Sequence, residues 1–352
     1  MMLSLWNFAI VSASILPLAR PECLAQISPK VMIVTFFDSE GDVYLNNSNS
    51  TGSLDFRANR YRLPLGNPLF PYLHCTSDND VCLITTGEGI INAAATTMAL
   101  LANPKLDLSE TYWLLTGIAG GAPDQVTLNS IAVARFSVQA SMQHEIDARE
   151  IPAGFRTGYF PQGTLSPQDV WGNIYNSEVY ELNTELRNAA TAMINVTQIV
   201  DTPEAKNYRK NYAPDNWFTG TLLATSYSER VASWTNGTGV YCATAQEDGA
   251  VLGALVRGAL DSRVDFGRIV VVRTVSNFDR PYPGQSAIDN LSHKVAFGSV
   301  IANVYLAGYS ITKGIIRDWN RTYRHGIPAK NYLGDVMGSL GGEPDFGPGK
   351  YT

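Results

Sequence analysis

The chain has 352 residues, 45% hydrophobic and only 16% charged, which is enough to bury a large core in one large domain or two small ones. Its net charge of -6 at pH 7, with no run of Lys or Arg anywhere, gives no electrostatic footprint for a polyanion, so nucleic acid is not an expected partner. Four scattered histidines, His74, His144, His293 and His325, offer no ligand spacing, so neither a metal nor an organic cofactor is expected.

In chain order, Met1 to Ala19 carries no ionisable side chain and leads into Arg20-Pro21-Glu22-Cys23-Leu24-Ala25-Gln26. This reads as a signal peptide over residues 1–25 with cleavage near Ala25, and hence as a secreted or cell-surface protein. The alternative is a buried first helix or a membrane anchor, for which the stretch is barely long enough and lacks a basic start. Six acceptor patterns for N-glycosylation, at Asn46, Asn49, Asn195, Asn236, Asn290 and Asn320, agree with a secretory route. Cys75 and Cys82 flank a polar loop, and an oxidising compartment would permit a disulfide between them; the alternative is two free thiols. Cys242 reads as a buried apolar residue rather than a nucleophile.

Apolar, β-branched runs predict buried strands at Val31 to Phe37, Val81 to Thr86, Tyr112 to Thr116, Ser130 to Phe136, Thr219 to Thr225, Gly239 to Ala243 and Arg268 to Val275. Helical patterns cover Ile90 to Leu101, Glu178 to Met193, Ala250 to Leu260 and Ser286 to about Asp318. Strand followed by helix, repeated, predicts one α/β domain over 26–352, a three-layer α/β/α arrangement around a central mixed sheet. The stretches 45–73, 166–216 and 317–352, rich in Asn, Asp, Pro and aromatics, read as loop insertions around that core.

Three Gly-rich turns are expected after strands: Ser39-Glu40-Gly41, Thr86-Gly87-Glu88-Gly89 and Thr116-Gly117-Ile118-Ala119-Gly120-Gly121. Glycine at a strand's carboxyl end lets backbone approach a ligand, and that end is where open α/β sheets bind small molecules. Neither the Thr86 to Gly89 turn nor the Thr116 to Gly121 turn has the spacing of a dinucleotide fingerprint or a P-loop.

Taken in order, these turns resemble the nucleoside phosphorylase and nucleosidase superfamily, in particular its methylthioadenosine and adenosylhomocysteine nucleosidase branch. The likeness extends through Gln143-His144-Glu145-Ile146-Asp147, Gly158 to Gly163, Gln246-Glu247-Asp248-Gly249 and Arg273-Thr274-Val275-Ser276-Asn277. The whole chain is also similar to the fungal proteins called purine nucleoside permeases, a name that implies transport. The resemblance implies cleavage of the N-glycosidic bond of purine nucleosides, and a homodimer.

That chemistry leaves an oxocarbenium-like sugar and a charged base, so it needs an acceptor for the ribose hydroxyls and a donor near N7. Glu247 fits the first role and Asn277 the second. Asn277 stands where the nucleosidases have an Asp, and an amide cannot pass a proton directly; Asp279 is either the missing acid or a turn residue. Glu40 matches the carboxylate that activates water, with Glu88 a second candidate. Gly87, Gly120, Gln246 and Ser226 are expected near substrate, and Tyr227 is expected to stack on the base. His144 and Asp147 read as support. No cation stands in Tyr112 to Thr116, and Asp38-Ser39-Glu40-Gly41-Asp42 is acidic, which favours water over phosphate as nucleophile. Phosphorolysis, or nucleoside binding without turnover, remains the alternative.

Overall fold

The computed structural model describes residues 26–47, 54–212 and 222–348. The proposed leader and Asn49 lie outside the described residues.

The chain enters the core with β1 (Val31–Thr35), every residue of it buried, and turns at once into α1 (Asp38–Asn46). Strands β2 (Asn59–Arg62), β3 (Tyr72–Cys75) and β4 (Val81–Thr85) lead to α2 (Ile90–Ala102) and the ten-residue β5 (Tyr112–Gly121). Five short strands follow: β6 (Ile131–Val133), β7 (Phe136–Val138), β8 (Gln143–Glu145), β9 (Tyr159–Pro161) and β10 (Val179–Glu181). Helices α3 (Thr184–Asn195), α4 (Pro203–Arg209) and α5 (Leu222–Trp234) precede β11 (Ala243–Thr244) and α6 (Asp248–Leu260). The chain closes with β12 (Ile269–Phe278), α7 (Ala287–Ser292), α8 (Phe297–Arg317) and β13 (Gly334–Asp335).

The main sheet has the order β2-β3-β4-β1-β5-β12-β6, with β11 added alongside β5. Strands β4, β1, β5 and β12 are mutually parallel, whereas β2, β3, β6 and β11 pair antiparallel, so the sheet is mixed as expected. Period-two alternation divides β1 between two cores. Met32 and Val34 pack with Leu100 of α2 and Leu252 and Leu255 of α6, while Val31 and Ile33 face Leu186 of α3 and Val304 and Ile311 of α8. Helices on both faces make the three layers. Cys75 and Cys82 are register partners of β3 and β4 and are joined by a disulfide.

Several sequence expectations need correction. Ser39-Glu40-Gly41 is no turn but part of the first turns of α1; Gly41 is there because a Cβ would collide with Thr85 Oγ1 of β4, so it serves close packing. Thr116 to Gly121 is strand, since β12 pairs along this whole stretch of β5 and β11 pairs with it at Gly120 and Gly121. The run Ser130 to Phe136 splits at Ala134-Arg135, where the chain leaves the main sheet for a second sheet of order β13-β10-β7. Within the run Thr219 to Thr225, residues 222–225 begin helix α5, whose buried Ser226, Arg230 and Trp234 recur at helical spacing. Only Ala243 of the run Gly239 to Ala243 is strand, and β10 occupies the start of the helix expected from Glu178. The long helix breaks into α7 and α8. The stretch 45–73 supplies β2 and part of β3, and 166–216 supplies β10, α3 and α4, so neither is merely loop.

Candidate functional site

Parallel strands aim their carboxyl ends at one edge of the sheet, and here β1, β4, β5 and β12 converge on the amino end of α6. Glu40, one helical turn beyond β1, is only 1% exposed. Its Oε2 accepts the Phe36 N–H at 2.8 Å and its Oε1 the Ile118 N–H at 2.6 Å. Burial pushes its carboxyl up to about 7, with Arg273 and the two N–H groups opposing and Glu247 adding to the rise.

Arg273 is the hub. Its Nη2 donates to Asp248 Oδ1 at 2.6 Å and to Glu247 Oε2 at 3.3 Å, and its Nη1 donates to the Ile118 carbonyl at 3.0 Å. The guanidinium lies 4.2 Å from the centre of the Phe36 ring. Burial alone would lower its pKa, but Asp248, Glu40 and Glu247 overcome that and raise it. Gly117 makes room for the cluster: a Cβ there would collide with Glu40 Oε1 and come within 2.8 Å of Arg273 Nη1. A charged residue within the otherwise apolar start of β12, Ile269 to Val272, was the sequence signal for this hub.

Glu247 caps α6 without a side-chain cap bond; its Oε1 instead accepts the Gly89 N–H at 3.0 Å, tying α6 to the turn after β4. Gln246 Nε2 donates to Glu88 Oε1 at 3.0 Å across the same gap. Gly87 and Gly89 have φ of 88° and 90°, so this second turn is a true glycine turn. At the end of β12 the pairing with β5 slips between Val275 and Asn277, and Ser276 Oγ donates to Asn277 Oδ1 at 2.9 Å. Gly120 lies across from Asn277, where a Cβ would crowd Thr244 Oγ1 of β11 at 2.9 Å.

Other expectations fare differently. Asp279 accepts Tyr241 Oη at 2.7 Å and is gripped by Arg280 at 2.8 and 3.0 Å, so the role of proton donor does not fit it. Ser226 spends its hydroxyl on the Leu223 carbonyl inside α5. His144 packs on Phe160 with ring centres 5.2 Å apart, and Asp147 is paired with Arg149 at the surface, so neither reaches the cluster. Asn290 is buried, its Nδ2 donating to the Phe278 carbonyl at 3.0 Å, which is no place for a glycan.

Beside the cluster opens a cavity of about 820 Å³. Tyr227, Tyr241, Gln246, Asp248, Arg273 and Arg230 are on its wall. Tyr227 and Tyr241 meet edge to face, with ring centres 5.8 Å apart. Glu40, Glu247 and Asn277 are not on that wall; Arg273 is the side chain that joins the cavity to both glutamates. Arg230 escaped the sequence reading, which took only the start of its helix, residues 222–225, for the end of a strand and assigned no element to the rest. No cluster of three or more His, Cys, Asp or Glu side chains suited to a metal occurs among the described residues.

A family model described as purine nucleoside permease matches residues 28–328. The chain is 35% identical over 344 residues to a purine nucleoside permease of Candida albicans, covering 91% of this chain and 83% of that protein. It is 34% identical to a probable purine nucleoside permease of Schizosaccharomyces pombe, over 83% of this chain and 90% of the relative. Among solved structures it aligns with the Helicobacter pylori methylthioadenosine/adenosylhomocysteine nucleosidase at 15% identity and a TM-score of 0.43, covering 84% of this chain and 99% of that one. It aligns with the Helicobacter pylori futalosine hydrolase at 15% identity and a TM-score of 0.47, covering 82% of this chain and 98% of that one.

Proposed function

The chain belongs to the purine nucleoside permease family, and from that premise we propose that it binds a purine nucleoside in the cavity beside Arg273 and hydrolyses its N-glycosidic bond. The observation that carries this reading is Glu40: a buried carboxyl brought to about 7, one guanidinium away from the carboxylate of Glu247, at the edge where the parallel strands end. A group with that pKa takes and returns a proton near neutrality, which is what a base activating water requires.

In this reading the purine stacks against Tyr227 and Tyr241, and Glu247 accepts the ribose hydroxyls. The Asn277 amide, aligned by Ser276, donates to the base nitrogen; an amide has no proton to transfer, so it stabilises departing negative charge by hydrogen bonding alone. Glu40 takes a proton from water as the sugar becomes oxocarbenium-like. Arg273 is on the cavity wall and Glu40 is not, so in this reading Arg273 stands between the bound nucleoside and Glu40. The acidic first turn of α1, with Asp38 and Glu40, disfavours a phosphate dianion as nucleophile.

A second reading is nucleoside binding without turnover in the service of uptake. It is favoured by the covering of both glutamates and by the relatives' name, while among the described residues no helix is long and apolar enough to cross a membrane. Glu40→Gln and Glu247→Ala separate the two. Under hydrolysis, Glu40→Gln binds nucleoside but releases no base, and Glu247→Ala loses both affinity and turnover. Full activity in Glu40→Gln contradicts the mechanism. Export, glycosylation and dimerisation belong to the same proposal.

A further inference from the structure

Four arginines, Arg135, Arg187, Arg230 and Arg273, line the 820 Å³ cavity against two carboxylates, Glu145 and Asp248. Arg135 is paired with Glu181 at 2.7 Å, and Arg273 is paired with Asp248 and Glu247. The other two have different partners. Arg187 Nε donates to the Val133 carbonyl at 2.7 Å and Arg230 Nη1 to the Ala140 carbonyl at 2.8 Å, and among the described residues neither has an acid within ion-pair reach.

Arg230 is the more telling of the pair. It is only 5% exposed, its guanidinium lies 5.2 Å from the centre of the Trp234 ring, and it stands one helical turn from Tyr227 on α5. Taking a guanidinium out of water without a counter-charge is expensive, and one carbonyl and one ring face do not compensate it. Burial draws its pKa down to about 10, with Tyr227 opposing, so it still carries its charge at neutral pH. Its planar fork has donors to spare for a second, bidentate partner. The cavity is in the upper part of the range for small-molecule sites, about 300–1,000 Å³, which leaves space beyond a base and a sugar. Arg230 makes no bond to Glu40, Glu247 or Asn277, so the charge it offers is separate from the cleavage machinery.

We propose that Arg230, with Arg187 on the same cavity wall, forms an oxyanion-binding subsite, and that the substrate held there carries a phosphate monoester: a purine nucleoside monophosphate. This rests on the reading of the cavity as the nucleoside site and names the substrate class for it. Inorganic phosphate presents the same chemistry from another source.

Calorimetric titration of the full chain with adenosine, inosine and guanosine, with their 5′-monophosphates and with inorganic phosphate tests the assignment. The monophosphates are expected to bind at least tenfold more tightly than the nucleosides. In Arg230→Met that advantage disappears while nucleoside affinity is unchanged, and Arg230→Lys keeps part of it. Phosphate that competes with monophosphates and not with nucleosides supports the subsite. Equal affinity for nucleosides and monophosphates overturns it and leaves the nucleoside reading intact, whereas absence of all nucleoside binding overturns that reading as well. Phosphate bound together with nucleoside, with no gain for monophosphates, overturns the substrate assignment in favour of the free ion. If Arg230→Met does not fold by circular dichroism, Arg230→Lys and Arg187→Met carry the same comparison.

Discussion

Arg273 reaches from β12 to the first residue of α6, where its Nη2 donates to Asp248 Oδ1 at 2.6 Å, and both side chains are largely hidden from solvent. This contact holds the sheet edge and α6 together around Glu40 and Glu247. Removing one partner of a buried pair leaves the other charge uncompensated and costs about 3–5 kcal/mol. Arg273→Met is therefore expected to lose about that much in urea denaturation, and Arg273→Lys less, since an ammonium replaces the charge but not the fork. Wild-type stability in Arg273→Met would show that the cluster does not hold the site.

Glu40 makes stability depend on pH with a definite sign. Its folded value of about 7 lies above the ordinary 4.5, so the folded state holds the proton more tightly than the unfolded chain does. The contribution is fully present below about 4.5 and is lost as pH rises through about 7, on the order of 3 kcal/mol in all. Denaturation midpoints of the wild type compared with Glu40→Gln across this window are expected to show a fall that the amide variant lacks. In the same window, base release should rise with pH as Glu40 becomes a carboxylate. Parallel stability profiles for the two proteins would contradict the shift.

Gly117→Ala tests the packing of the cluster. The added methyl meets Glu40 and Arg273 at once, neither of which is a free-ended surface chain, so a loss of about 1–3 kcal/mol is expected with turnover falling further than stability. An alanine variant as active as the wild type would mean that the Glu40 and Arg273 positions are not set by this close approach.

Glycan mapping after expression through a secretory host distinguishes the acceptor sites. Asn195 and Asn320 are exposed, whereas the Asn290 amide is buried and also accepts from Tyr212 Oη at 3.2 Å. Asn290 is expected to remain unmodified even where the exposed sites are occupied; a glycan on it would require α7 to be displaced.

Much of the sheet was legible because buried parallel strands are continuous apolar runs: Val31, Val81 and Tyr112 each begin a predicted strand and an observed one. What escaped were places where glycine or β-branched residues serve a neighbour rather than a turn or a strand. Gly41 lies inside α1 because Thr85 crowds it, and Gly120 and Gly121 stay in β5 because β11 and β12 pair with them. Thr225 stands in a helix because the buried face of α5 is set by Ser226, Arg230 and Trp234, four residues apart. Glu247 and Glu40 could be named from their motifs and Arg273 noticed as a charge in an apolar strand, but its place between the two acids could not be foreseen. That contact depends on sheet register, which puts Arg273 opposite Gly117 where no side chain blocks it.

The most direct test of the account is to incubate the purified protein with purine nucleoside in phosphate-free buffer and again with added phosphate, and to identify the sugar released. The account predicts free base and free ribose at a rate that phosphate does not change. Ribose 1-phosphate formed only when phosphate is present, or tight nucleoside binding with no cleavage under either condition, would contradict it.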